Sequence, residues 1–329
     1  MHKRRFILTT LLSIIIAFCL STTACEKPNN TLLVDEGSFS VHFLDVGEGD
    51  SILINFPDGK NMLIDCGVPS SLTEKYVLEC VKKTDVIDLD YLVLTHPDSD
   101  HIGNAMAVAE TFNVKTAFVP SVKNKDLFPT FTKIIDKLNA DGTEIVISDS
   151  AKSLSGEGWF LAFLSPMPAG VLGSSYDDFN SVEVPSSDQT NNLSPIIYLE
   201  CSGKRFVFTG DAGVTQESIV VNNYNAGLYN LLFGKDKVNL ENVDVLKVAH
   251  HGASDATSEK FLNLLVPKNA IISVGDNNYG HPSTSTLTRI QACSPDVNFF
   301  RTDLNSTISV QIDDNFTLKF DCINAPKKN

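Results

Sequence analysis

Residues 91–101 read Tyr91-Leu92-Val93-Leu94-Thr95-His96-Pro97-Asp98-Ser99-Asp100-His101. A strand-like apolar run ends abruptly in two histidines and two aspartates. Alternate side chains of an extended segment face the same way. His96, Asp98 and Asp100 can therefore share one side of the loop, and His101, opening the helix expected from Ile102, can turn to the same place. Nitrogen and oxygen donors packed this closely are enough to begin two metal sites. The competing reading is a solvated acidic turn in which Asp100 caps the helix. It explains the aspartates but not the histidines.

The same punctuation recurs downstream. Phe206-Val207-Phe208-Thr209-Gly210-Asp211 is an apolar strand with a carboxylate at its tip, and one carboxylate can bridge two cations about 3.5–4 Å apart. Val245-Leu246-Lys247-Val248-Ala249-His250-His251-Gly252 ends in a histidine pair. On extended backbone such neighbours point oppositely, so one of the two is expected to bind metal and the other to face substrate. Asn278-Tyr279-Gly280-His281-Pro282-Ser283 offers His281 as a general acid or phosphate contact, or simply a turn into the helix that follows. The chain has only seven histidines, so two separate strand-end clusters are not chance decoration.

Around these motifs the pattern alternates strand and helix. Strand signals fall at 39–46, 51–56, 62–65, 87–95, 116–119, 160–164, 196–200, 205–209, 243–248, 270–274 and 308–312. Helical spacing appears at 72–83, 102–112, 128–138, 258–265 and 284–292. Residues 166–192, rich in Ser, Asp, Gly and Pro, read as a surface loop. Antiparallel-type strands followed by alternating elements imply two sheets with helices outside, in one α/β domain spanning 38–323.

The N-terminus is different. Met1-His2-Lys3-Arg4-Arg5 precedes an apolar run, Phe6 to Leu20, and then Ser21-Thr22-Thr23-Ala24-Cys25. A basic start, a short apolar stretch and small residues mark a secretory signal over 1–24; a spanning helix needs about 18 apolar residues. Small residues ending at Cys25 suggest bacterial lipoprotein processing, with Cys25 the lipidated residue; an uncleaved anchor is the alternative. Residues 25–37 read as a tether. Either way the body is expected outside the cytoplasm, on the outer face of the cytoplasmic membrane or extracellular. Of the seven cysteines, Cys66, Cys80, Cys201, Cys293 and Cys322 lie in the body at scattered spacings, without zinc-knuckle pattern. They read as small buried hydrophobes, or, in an exported protein, as partners in disulfides whose pairing the spacing does not give.

Taken together, Phe43–Asp50, Leu63–Gly67, Thr95–Gly103, Asn192–Ser194, Thr209–Asp211, Leu246–Ser254, Tyr279–Ser283 and Arg301–Asp303 resemble the metallo-β-lactamase superfamily. The likeness is to its ComEC-type branch, the extracytoplasmic domain of DNA-uptake proteins. The resemblance implies an αββα four-layer sandwich and a hydrolase with two divalent metal ions, Zn²⁺ or Mn²⁺. It implies one metal on His96, Asp98 and Asp211, and the other on Asp100, His101, Asp211 and His251. His250, His281 and Asp100 would be catalytic, Asn192, Ser194 and Tyr279 would meet substrate, and Asp45 and Asp65 would orient ligands. Most superfamily members carry His where Asp98 stands, and many place another His before the bridging aspartate; here none lies between His101 and His250. Asp98 and that gap turn the expectation from lactams to a phosphodiester cleaved by a metal-activated hydroxide. Glu48 replaces a usual Gln, and Cys66 a usual Gly or Thr.

Three substrate readings follow. The first is a nuclease of ComEC type. Against it stands a net charge of −14, because a nucleic-acid binder is expected to show a basic face and this chain repels polyanions. The second is a phosphodiesterase on a small or cell-surface ester, such as a phosphorylcholine, whose ammonium needs an aromatic cage; Trp159, Tyr176, Phe179 and Tyr279 are candidates. The third is a catalytically weak accessory binding protein.

Overall fold

The computed structural model describes residues 26–29, 37–83, 88–122, 125–167 and 190–323. Among these residues the strands form two sheets, of nine and seven strands. The first runs in the spatial order β1 (Glu26–Asn29), β16 (Leu318–Ile323), β15 (Thr307–Ile312), β2 (Ser40–Phe43), β3 (Ile52–Asn55), β4 (Asn61–Ile64), β5 (Asp88–Val93), β6 (Asn113–Val119), β7 (Glu144–Ile147). The second runs β14 (Asn298–Arg301), β13 (Asn269–Ile272), β12 (Val245–Lys247), β11 (Lys204–Phe208), β10 (Ile197–Cys201), β9 (Trp159–Phe163), β8 (Ser153–Gly156).

Three cores hold the layers. Between the sheets lie Ile52, Ile54, Met62, Ile64 and Val93 from one side and Phe163, Phe206, Phe208, Val245 and Ile271 from the other. Their strand neighbours face outward. Leu53, Leu63 and Leu92 meet Val77, Val108 and Ile134 of the helices Ser71–Lys82, Ala105–Thr111 and Pro129–Ala140. Val207, Leu246 and Ala270 meet Val220, Phe261 and Ile290 of the helices Val214–Asn225, Glu259–Leu265 and Thr284–Cys293. Central strands are apolar on both faces because both faces are covered. This is the expected αββα arrangement.

Each sheet has a parallel half, β4 to β7 in one and β11 to β14 in the other. The carboxyl ends of β4, β5, β11 and β12 carry Asp65, His96, Asp211 and the His250–His251 pair. In open α/β sheets, ligands gather beyond those ends.

Several expectations need correction. Residues 25–37 are not wholly a tether, since Glu26–Asn29 pairs in parallel with β16 in the register Glu26↔Asp321 and Asn29↔Ile323. A short polar strand containing Pro28 is the kind that covers a sheet edge. The helix expected over 102–112 is two helices, Ser99–Ile102 and Ala105–Thr111, broken at Gly103 and Asn104. Cys66, Cys80 and Cys201 are buried free thiols, whereas Cys322 is disulfide-bonded. The signal 1–24, Cys25, most of the 166–192 loop with Tyr176 and Phe179, and residues 324–329 lie outside the described residues. No helix among the described residues is long and apolar enough to cross a membrane.

Candidate metal centre

The loop after β5 enters a short helix with Asp98 at its N-cap, yet the Asp98 side chain makes no capping bond. The helix takes its first bonds from the Asp98 carbonyl, which accepts from the His101 and Ile102 amides at 3.1 and 3.0 Å. Asp100 is not the cap either. Both carboxylates are thus left to the cleft, 37% and 34% exposed. The loop is tied down from behind: Cys66 N–H donates to His101 O at 2.6 Å and Asp50 N–H to Asp100 O at 3.3 Å. Gly49 presses against it so closely that a Cβ there would lie 2.3 Å from the Asp100 carbonyl oxygen.

Three imidazoles converge on Asp211. His96 and His101 are fully buried, and His251 and Asp211 are 2% and 3% exposed. His101 Nε2 lies 3.3 Å from Asp211 Oδ1, while His251 Nε2 and His96 Nε2 lie 3.6 and 3.9 Å from Asp211 Oδ2. Asp100 Oδ2 is 3.5 Å from His251 Nε2 and 3.8 Å from His101 Nε2. Asp98 Oδ2 stands 3.7 Å from His96 Nε2. The donor atoms of Asp100, His101, Asp211 and His251 all lie within 4.8 Å of one another.

The far side of each ring is what aims it. His101 Nδ1–H donates to Asp65 Oδ2 at 2.7 Å. His251 Nδ1–H donates to the Ser273 carbonyl at 2.8 Å. His96 Nδ1 lies 3.1 Å from Thr95 Oγ1, whose own proton goes to Asp65 Oδ2 at 2.7 Å; the ring nitrogen is therefore the donor. In all three rings Nδ1 carries a proton, so Nε2 is the inward position left for a cation or, without one, a second proton. His96 Nε2, His101 Nε2, His251 Nε2 and Asp211 Oδ1 are buried without a hydrogen-bond partner. Buried polar groups are rarely left so, and this orphaned set is what a divalent cation satisfies. Three imidazoles and three carboxylates suit Zn²⁺ or Mn²⁺, so the residues fit the implied metals.

The electrostatics show what the metal-free cluster does instead. Burial works against a charged His101, but Asp211 and Asp65 outweigh it and raise its pKa well above the ordinary value. Burial likewise opposes the charge on His251, yet Asp211 and Asp100 push it up to about 9. Against burial, His101 and His251 hold the Asp211 carboxyl well below its usual range. Burial and the neighbouring His101 lower His96 to about 3. Burial, then Asp100, raises Asp98 to about 6. Protons sit where cations would, and ligation releases them.

His250 and His251 separate for a reason other than the expected one. Both have left-handed backbone, φ 49° and 51°, rather than the extended form that would oppose them. Such strain in non-glycine residues clusters at functional sites. Gly252, at φ +84°, completes the turn, and a Cβ there would lie 2.5 Å from Pro282 Cβ. His251 goes inward. His250 stays at the rim, its Nδ1 3.3 Å from Asp255 Oδ1 and its Nε2 3.3 Å from Asn191 Nδ2 and 3.9 Å from Asp211 Oδ2.

Other expected residues fall elsewhere. Ser194 is fully buried; its Oγ lies 3.2 Å from His96 Nδ1 and accepts from Asp211 N–H at 3.3 Å. In this position it braces the His96 ring and the Asp211 backbone. Asn192 accepts from Gln216 Nε2 through its backbone carbonyl, and its neighbour Asn191 is the one beside His250. Asp45 sits after β2, its N–H bonded to Thr307 Oγ1. The residue behind His251 is Asp50, 3.7 Å from its Nδ1. Asp50 also pairs at 2.8 Å with Lys247, and both are buried. A lysine inside the apolar Val245–Val248 run was the available signal. Trp159 stacks on Phe56 at 3.9 Å in the core, not in a cage. Tyr279 is exposed and stacks at 5.6 Å on His281.

Residues 44–126 match the family model of the metallo-beta-lactamase superfamily. ComE operon protein 3 of Bacillus subtilis is 31% identical over 284 residues, covering 82% of this chain and 32% of that protein. The chain belongs to the metallo-β-lactamase superfamily. Recombination protein 2 of Haemophilus influenzae is 26% identical over 284 residues, covering 85% of this chain and 29% of that protein. Competence protein ComA of Neisseria gonorrhoeae is 24% identical over 276 residues, covering 84% of this chain and 32% of that protein, and these relatives place the chain in the ComEC-type branch. The chain thus spans about a third of the length of the curated relatives it matches. A solved mutant structure of the CmlA β-hydroxylase, an enzyme of Streptomyces venezuelae, superposes with a TM-score of 0.50 at 12% identity, over 85% of this chain and 55% of that one.

Proposed function

We propose that this superfamily member is a binuclear metal-dependent phosphodiesterase acting outside the cytoplasm. The observation that carries the reading is the set of inward, partnerless nitrogens of His96, His101 and His251 around Asp211, with Asp98 and Asp100 at the mouth. His96, Asp98 and Asp211 would hold one cation, and Asp100, His101, Asp211 and His251 the other. When bound, such a pair supplies a water activated near neutral pH and stabilises charge on a reacting phosphoryl group.

The chain's own residues do the rest. Asp65, Thr95, Ser194 and Ser273 fix the ligand rings, and groups held this way tune and orient a metal site. His250, between Asp255 and Asn191, faces an anionic substrate oxygen together with the Asn191 amide. His281 lies beside His250, ring centroids 5.4 Å apart, and gives a proton to the leaving oxygen. Competence relatives favour a nucleic-acid strand as substrate. The net charge of −14 favours a second reading, a small or cell-surface phosphoester.

The test is a hydrolysis panel on the full chain with Zn²⁺ and with Mn²⁺, using single-stranded DNA, duplex DNA, bis-nitrophenyl phosphate and phosphorylcholine esters. Asp211→Ala should lose both metals and all hydrolysis while keeping the fold. Full activity in Asp211→Ala, or no diester hydrolysis by the loaded wild type, defeats the proposal. DNA cleavage as fast as small-ester cleavage defeats the second reading. Labelled-lipid incorporation that disappears in Cys25→Ser tests the lipoprotein anchor.

A further inference from the structure

One carboxylate–imidazole pair at the cleft is not used by the metal ligands. Glu48 Oε2 accepts the Gly275 N–H at 2.9 Å, and Glu48 Oε1 lies 2.8 Å from His281 Nδ1. The two side chains are 12% and 13% exposed. The loop bearing His281 is knitted by Asn277, whose Oδ1 accepts from the Tyr279, Gly280 and His281 amides. Its Nδ2 donates to the Gly275 and His281 carbonyls. His281 is thus built into place rather than left on a loose turn.

The chemistry of this pair allows one arrangement. A carboxylate offers only acceptor positions, and a backbone N–H can only donate. Gly275 takes one Glu48 oxygen, so the other must receive a proton, and Nδ1 is its source. His281 is therefore held as the Nδ1–H ring, and whatever proton it gains or gives moves at Nε2. Among the described residues Nε2 has no partner.

We propose that Glu48 is the positioning residue for His281, pinning its Nδ1 proton so that Nε2 hands a proton to the leaving oxygen of the phosphodiester. This rests on the phosphodiesterase reading above. As the phosphorus–oxygen bond breaks, the doubly protonated ring passes its Nε2 proton to the departing alkoxide. It is left neutral with Nδ1–H still on Glu48, and regains a proton from solvent. A nucleophile–base–orienter chain follows the same logic.

Glu48→Gln in the full chain tests it at constant side-chain size. Glutamine has one oxygen, which the Gly275 N–H requires. Its NH₂ then meets Nδ1, which must become an acceptor, and the ring changes to Nε2–H. Histidine ¹⁵N NMR should show that change in His281, with metal content unaltered. Hydrolysis of bis-nitrophenyl phosphate, whose leaving group needs no proton, should stay within about 3-fold, while a dinucleotide with an alkoxide leaving group should slow by about 10²-fold. His281→Ala should slow the dinucleotide by at least as much as Glu48→Gln does. An unchanged tautomer in Glu48→Gln, or equal losses on both substrates, overturns the proposal. A loaded wild type that cleaves neither diester overturns the phosphodiesterase reading and the proton delivery with it; the NMR change then reports the hold of Glu48 on His281 alone.

Discussion

Asp65→Asn is the substitution whose consequence can be worked furthest. Asp65 is fully buried. Its Oδ1 accepts Thr95 N–H at 2.8 Å, and its Oδ2 accepts Thr95 Oγ1–H and His101 Nδ1–H, each at 2.7 Å. Removing the carboxyl altogether, as in Asp65→Ala, would orphan three buried donors. At roughly 1–3 kcal/mol each, the loss of about 3–9 kcal/mol approaches the whole stability of a domain, and that variant should not accumulate. Asparagine keeps the shape and the bond to Thr95 N–H, but puts an NH₂ against His101 Nδ1. The ring must then carry its proton on Nε2, where a cation would be held. Loss of such an orienting group costs about 10–100-fold in metal affinity, about 1.4–2.7 kcal/mol. The measurement is a Zn²⁺ titration against a competing chelator, with circular dichroism to show retained structure. Wild-type affinity in a folded Asp65→Asn protein would refute the claim that Asp65 sets the protonation of His101.

Other consequences are as direct. In metal-free protein the pKa of His251 is raised from 6.5 to about 9; its stabilising contribution is full below 6.5 and is lost as pH rises through about 9. The melting temperature of the chelator-treated protein should therefore fall across that window, whereas the metal-loaded protein should not follow it; a flat metal-free profile contradicts the assignment. Gly49→Ala should push the Asp100 carbonyl, 2.3 Å from the new methyl position, and lower bound metal per chain without loss of helix or strand signal. Phe208→Ala, between the sheets against Phe43 at 6.1 Å, should cost about 3–5 kcal/mol in urea unfolding; a cost under about 1 kcal/mol would mean the inter-sheet core is looser than described.

The strand ends that build the site were legible because central strands covered on both faces read as unbroken apolar runs, and polar ligands interrupt them visibly. Where polarity is internal, the pattern fails. The helix Val214–Asn225 buries Gln216 and Glu217 alongside Val220 and Val221, so no clean apolar stripe marks it. β7 and β8 are half-exposed, and their alternation is blurred by Ser and Glu. The sequence does not show that the Ser194 hydroxyl lies behind the His96 ring, because a hydroxyl near ligands can stand in front of them or behind; only packing places it. The left-handed backbone at His250 and His251 has no local signature such as glycine. Asp50 and Lys247 lie far apart in sequence, and nothing local marks them as a pair.

The six ligand-type residues come from two places. His96, Asp98, Asp100 and His101 leave the first sheet, whereas Asp211 and His251 leave the second. During synthesis the first four are made long before their partners, so the early half of the chain holds an open, low-affinity set of donors. Cation capture with the full set waits until His251 has been made and the second sheet has docked on the first, a contact of high sequence separation and so a slow one to form. Retention of metal is thus a record of completed folding. Truncated or misdocked chains would be expected to surrender their ions to any competing chelator, and a protein of this design would become fully loaded only where its two halves finally meet.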